Sequence, residues 1–263
     1  MPLNPPNASR HRTKQEYVYQ TLRGGILRCE LGPDERLVID ELARRLDVSA
    51  IPVREALQLL QSEGLVINVP HVGATVAPIS RESIVDVFSV LEGLETVATR
   101  LLANRDDLEK GRVLVPLGVL VDAMDRAIAA GQTAEWADLN RQFHLTISGL
   151  PGLPMLREMT ERVLDRWDRV RRFYVRGVLA HRIQQAQREH REILNAMRTG
   201  DVPALHQLVR QHNQSALAAY LAFFDGTESN ALVSHGDDRI ESGGASRRQV
   251  ARQQRDRSEQ HPG

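Results

Sequence analysis

Nine histidines occur in this 263-residue chain, and three of them sit where a helix should bury its side chains. Between residues 181 and 199 the apolar positions Ile183, Ala186, Ile193 and Met197 advance by threes and fours, and His190 falls within that stripe. His212 does the same among Leu205, Leu208 and Ala216. Trp136, Leu139, Phe143 and Ile147 mark a third stripe, with His144 at its edge and Asn140 one turn earlier on the same face. Three inward imidazoles from three helices can converge as ligands for zinc or another divalent ion. Taken singly, each reads as a hydrogen-bonded core histidine. A catalytic zinc would also need a general base and oriented substrate groups. No HExxH or comparable pairing of a carboxylate with these histidines occurs, so no enzyme is expected.

A second constellation could read nucleic acid. In DVSAIPVREAL (47–57) and the residues after it, Val53, Ala56, Leu57 and Leu60 share one face. Ala50, Ile51, Arg54, Glu55, Gln58 and Gln61 then point outward. A helix in the major groove needs short or planar polar groups there, near its N-terminus. Arg54 suits a guanine edge or a phosphate, and Gln58 follows one turn later. The same residues would also serve as a plain solvated face. Phosphate contacts are expected from Lys14, Arg10 or Arg12, from Arg44 and Arg45, and from the segment around His71 and Gly73.

The elements that must position these groups are legible. Residues 1–13 read as a flexible arm. Over 14–79, three short helices precede LVINV and ATVAPI, a hairpin turning near His71 to Gly73. Ser49 is expected to cap the third helix, with Pro52 tolerated in its first turn. From Ser80 the pattern is helical. Ile84, Val87, Leu91, Leu94, Ala98 and Leu101 mark a buried seam, and further helices are expected over 107–130, 133–149, 154–174, 181–199 and 202–224. Pro116 should start a new segment or kink the first of these. After residue 225 apolar residues almost vanish, so 226–263 reads as a disordered tail, including RRQVARQQRDR. The fold class is therefore mainly α: an N-terminal winged helix-turn-helix, then an all-α bundle over 80–225.

Bulk composition adds limits. Lysine plus arginine equals aspartate plus glutamate at 34 each, so DNA contact must rest on a local patch. The single cysteine, Cys29, precludes an internal disulfide. No apolar run is long enough to span a bilayer, and the N-terminus lacks a signal-peptide core. A cytoplasmic protein without membrane partners is expected.

LARRLDVSAIPVREALQLLQSEGLV followed by PHVGATV resembles the DNA-binding domain of GntR-type transcription regulators. NRQFHLTISGLPGLPML, REHREILNAMRTGD and LVRQHN resemble the FCD effector domain of the FadR-like branch. The resemblance implies a homodimeric regulator, commonly a repressor, on a two-fold double-stranded DNA operator. It also implies a small carboxylic acid effector and a bound divalent metal, zinc first, with nickel and manganese as alternatives. The metal positions of the family match His144, His190 and His212. Its fourth ligand, usually aspartate, is matched by Asn140, so the ligand set carries no negative charge. An open coordination position would take water or the acid, and Arg100 and Arg141 are candidates for a second acidic group. The family commonly has arginine at Ala50 and sometimes a basic residue at Asp40. Asp34 and Asp47 replace frequent glycines, and aspartate tolerates the left-handed backbone such turns need. Ala77 to Ser83 would couple the halves. A regulator whose helical half only dimerises stays an alternative.

Overall fold

The computed structural model describes residues 13–173 and 178–225. The expected arm before Thr13 (with Arg10 and Arg12), Tyr174 and the expected tail over 226–263 lie outside the described residues. Residues as far as Ala219 form one compact unit; of the second, Tyr220–Gly263, only the helical residues 220–225 are described.

The N-terminal part begins with α1 (Lys14–Leu27), where the Thr13 side chain accepts the Glu16 N–H at 3.1 Å. α2 (Ile39–Leu46) and α3 (Ala50–Ser62) follow. Val18, Leu22 and Ile26 of α1 meet Val53, Ala56, Leu57 and Leu60 of α3 in one apolar cluster. Asp34 and Asp47 both adopt the left-handed backbone, φ 64° and 52°, as their place in turns requires. Ser49 has the extended backbone of an N-cap, but its side chain makes no capping bond. The donor such a cap often takes lies at the third helical residue, and Pro52 has no N–H to give.

β1 (Val66–Val69) pairs antiparallel with β2 (Gly73–Val76), in register Val66 to Val76 and Val69 to Gly73. His71 (φ 64°) and Gly73 (φ 98°) make the turn between them. A third segment closes the other side of β2: Val76 N–H donates to Glu35 O at 2.9 Å, and Leu37 N–H to Ala74 O at 2.8 Å. PDERL has no period-two alternation, so its sequence reads as a turn and hides this pairing.

In the helical part, α4 (Arg81–Ala103) starts at a reciprocal capping box between Ser80 and Ser83. α5 (Asp107–Val113) ends and α6 (Val115–Ala129) restarts around Pro116, which sits in the first turn of α6. α7 (Thr133–Gly149), α8 (Pro154–Phe173) and α9 (Val178–Thr199) follow, and α10 takes up 202–219 of this unit. Leu102, Leu117, Met124, Phe143, Ile147, Ile193, Met197 and Leu205 form the bundle core.

The seam of α4 departs from the expected one. Ile84, Val87, Leu91 and Ala98 are buried, but Leu94 is half-buried and Leu101 exposed, while Glu95 and Leu102 turn inward. A strict seven-residue repeat drifts off the face of a straight 3.6-residue helix by about 20° per heptad, so it is a poor guide to the buried line of a helix this long. α8 packs against α1 as well as α4 and α7, which makes it the strut between the two parts. No helix among the described residues is long and apolar enough to cross a membrane.

Candidate metal centre and DNA-facing surface

α7, α9 and α10 bring His144, His190 and His212 together, all buried, with one ring nitrogen of each within 4.8 Å of the others. Ring centroids lie 5.5 Å apart for His144 and His190, 5.4 Å for His144 and His212, and 4.8 Å for His190 and His212. Phe143 lies against His190, with centroids 4.5 Å apart, and Trp136 stacks beyond it at 6.2 Å. Gln187 anchors Trp136: its Oε1 accepts the indole N–H at 3.3 Å, and its amide donates to Val121 O and Asp125.

Two of the three imidazoles are oriented by carboxylates. His144 Nδ1 is bonded to Glu95 of α4, and His212 Nδ1 to Glu189 of α9 at 2.7 Å. An ionised carboxylate only accepts, so each Nδ1 carries the proton and each Nε2 keeps a lone pair. Glu95 also accepts from Asn213 Nδ2 at 2.9 Å. Glu189 accepts from Arg182 at 2.8 Å and from Gln185 at 2.9 Å. Burial alone would raise both carboxyl groups. For Glu95 its interactions with His144, His212 and Asn213 outweigh it, and for Glu189 those with His212, Arg182 and Gln185; both are held below the usual carboxylate range. Burial, then the neighbouring His212, His144 and Arg182, push His190 well below the usual imidazole range, so it is neutral. His212 is lowered as well, burial outweighing the pull of Glu189.

Whether these residues fit a metal is decided by what they leave unmet. Neither ring nitrogen of His190 has a hydrogen-bond partner, although the side chain is fully buried. Asn140 Oδ1, buried one turn before His144 on α7, has none either. Buried polar groups are almost always satisfied, so a cluster of orphaned lone pairs fits a cation-binding role. The donor set of three imidazoles and an amide oxygen suits zinc and its neighbours.

Glu95, Glu189 and Arg182 are the site residues that sequence reasoning missed. Arg182 was findable, since it lies on the face of His190, eight residues earlier with Ala186 between. Glu95 was hidden by the heptad reading of α4. Arg141 of α7, expected at the effector, forms ion pairs with two aspartates of α8, Asp165 at 2.7 Å and Asp168 at 3.0 Å. Arg100 is exposed on α4, whereas every histidine of the cluster is buried.

On the DNA-facing side, Ile51 is 66% exposed, and Arg54, Glu55, Gln58 and Gln61 are exposed along the same α3 face; Ala50 is half-buried. Arg44 and Arg45 are exposed on the last turn of α2, and His71 is exposed at the hairpin turn beside half-buried Gly73. Lys14, in the first turn of α1, is exposed too.

Residues 14–76 match the bacterial regulatory proteins of the gntR family, and residues 86–215 match the FCD domain. An uncharacterised HTH-type transcriptional regulator from an unstable DNA locus of Streptomyces ambofaciens is 31% identical over 202 residues, covering 76% of this chain and 82% of that protein. The HTH-type transcriptional repressor GlaR of Escherichia coli K12 is 27% identical over 197 residues, covering 74% of this chain and 90% of GlaR. Among solved structures, a regulator described as GntR from Rhodococcus sp. RHA1 shares the fold at TM-score 0.62 and 23% identity, covering 80% of this chain and 98% of that one. McbR/YncC of E. coli does so at TM-score 0.62 and 22% identity, covering 81% and all of its length.

Proposed function

Because this chain belongs to the GntR family of DNA-binding transcription regulators and carries an FCD domain, not an enzyme's machinery, we propose that it is a homodimeric repressor sensing a small carboxylic acid through a divalent metal. The observation that carries this reading is the buried triad of His144, His190 and His212, whose lone pairs have no protein partner at His190. His144 and His212 would hold the ion through Nε2, His190 through either nitrogen, and Asn140 through Oδ1. The ion, when bound, supplies Lewis-acid attraction for a carboxylate. Glu95 and Glu189 fix the two imidazoles and return the negative charge that Asn140 withholds. Arg182, which also donates to His212 O at 2.9 Å, is the cation we assign to a second acidic group in place of Arg100 or Arg141. The repressor reading follows the name of the relative GlaR.

For the acid to regulate, it must bind the DNA-competent and incompetent arrangements differently. The linking chemistry sits on α8. Asp165 accepts from Arg141 of α7 and, at 2.8 Å, from Arg23 of α1, which also reaches Glu63 at the end of α3 at 3.1 Å. Arg169 of α8 donates to Ala77 O in the linking segment. A shift of α7 around the metal therefore has a path to the DNA-reading helix.

The test is a metal analysis of the purified protein, with a melting screen of small carboxylic acids before and after metal loading. Acid stabilisation that needs the metal supports the reading; a protein that takes up no divalent ion contradicts it. Asn140→Asp should hold the ion longer against a chelator, since it adds a charged ligand. No gain in that variant would remove Asn140 from the ligand set. In operator selection, Ala50→Arg should move base preference towards guanine, by about 1–3 kcal/mol at the position it reaches. Unchanged preference would mean that residue 50 never faces the bases.

A further inference from the structure

Arg169 is an anomaly that the metal reading does not use. Its side chain is only 6% exposed, its Nε has no hydrogen-bond partner, and one terminal nitrogen donates to Ala77 O. Among the described residues no carboxylate lies within ion-pair distance of it, unlike Arg141 on α7 and Arg171 on α8. A guanidinium taken out of water without a direct ion-pair partner is costly, and proteins usually pair it. Burial lowers its proton affinity, and the more distant Cys29 and Asp34 offset this only in part.

Beside it is a cavity of about 80 Å³ between α8, the start of α4 and the segment leaving β2. Arg166 and Arg169 line it from α8, and Ser83 and Asp86 from α4. Arg166 spends one terminal nitrogen on Glu63 O. The positive end of α4, a 23-residue helix, adds to the field of the two guanidinium groups. Asp86 is the opposing charge; it is exposed and makes no ion pair with either arginine. At about 30 Å³ per water, the space suits two waters or one small oxyanion.

We propose that this junction cavity is a second ligand site, which binds a small oxyanion (a phosphate or carboxylate group) between Arg166 and Arg169. Arginine forks suit such groups because two parallel N–H donors match two oxygens. The site is separate from the histidine cluster and does not depend on a metal there. A bound anion would tie α8 to the end of the winged part and so stiffen the connection between the two halves of the unit.

The probe is inorganic phosphate, titrated into the full-length protein stripped of metal, at ionic strength held constant with chloride. Melting temperature should rise and saturate at millimolar phosphate. Arg169→Met should weaken that response at least tenfold, Arg166→Gln several-fold, and His190→Ala should leave it intact. A response that never saturates, that survives Arg169→Met, or that vanishes in His190→Ala overturns the proposal. Should Arg169→Met not fold, crystals of the unaltered protein soaked in selenate decide: an anomalous peak between the two guanidinium groups supports the site, and its absence at saturating selenate overturns it.

Discussion

Replacing His190 with alanine is expected to abolish divalent-ion binding while barely disturbing the metal-free fold. Loss of affinity should be on the order of a hundredfold or more, beyond the tenfold to hundredfold typical of losing an outer partner. The fold should survive because His190 makes no hydrogen bond that the substitution breaks, and two orphaned nitrogens leave the core with it. The measurement is the melting temperature with and without zinc. An ion at a hundred times its Kd stabilises by about 2.7 kcal/mol, which for a unit of this size is about 5–10 °C. That increment should disappear in His190→Ala. An undiminished zinc response would place the ion elsewhere and leave the three histidines as core residues.

Glu95→Ala should be damaging in a different way, through stability as well as the ion. Glu95 is buried, and it accepts from both His144 and Asn213. Removing it strands two donors and leaves the imidazole of His144 free to turn. Breaking a buried pair of this kind costs about 3–5 kcal/mol, so melting should fall by about 10 °C or more even without metal. Glu95→Gln separates the two roles. It keeps the volume and one accepting oxygen but gives up the charge. Its melting temperature should fall less, while metal affinity drops about 10–100-fold. A Glu95→Ala protein that melts within a degree of the parent would show that the carboxylate is idle. A Glu95→Gln protein that binds metal unchanged would show that its charge does not matter to the ion.

Much of this protein was legible from side-chain periodicity. The apolar stripes of α1 and α3 name the residues that meet in the N-terminal core, and Asp34 and Asp47 fall at left-handed turns. Pro116 marks the break between α5 and α6. Where the reading failed, the cause was a local rule meeting a longer-range one. Ser49 is a good capping residue in isolation, but Pro52 removes the N–H it would bond. The edge pairing of Glu35 and Leu37 with β2 needs no pattern in its own residues, because backbone groups alone make it.

The linear order of residues by itself determined the buried face of most helices, the distal half of α4 excepted, and therefore that three histidines point inward and that Arg54 and Gln58 point out. Burial follows from hydrophobic periodicity, a property of neighbours three and four residues apart. Only the tertiary structure decided which charged groups meet. Glu95 reaches His144 across 49 positions, and Arg23 reaches Asp165 across 142. It also left Arg169 without an ion-pair partner and tied Arg141 to aspartates. Coulomb energy depends on distance and on the surrounding dielectric, and chain order sets neither before the helices pack.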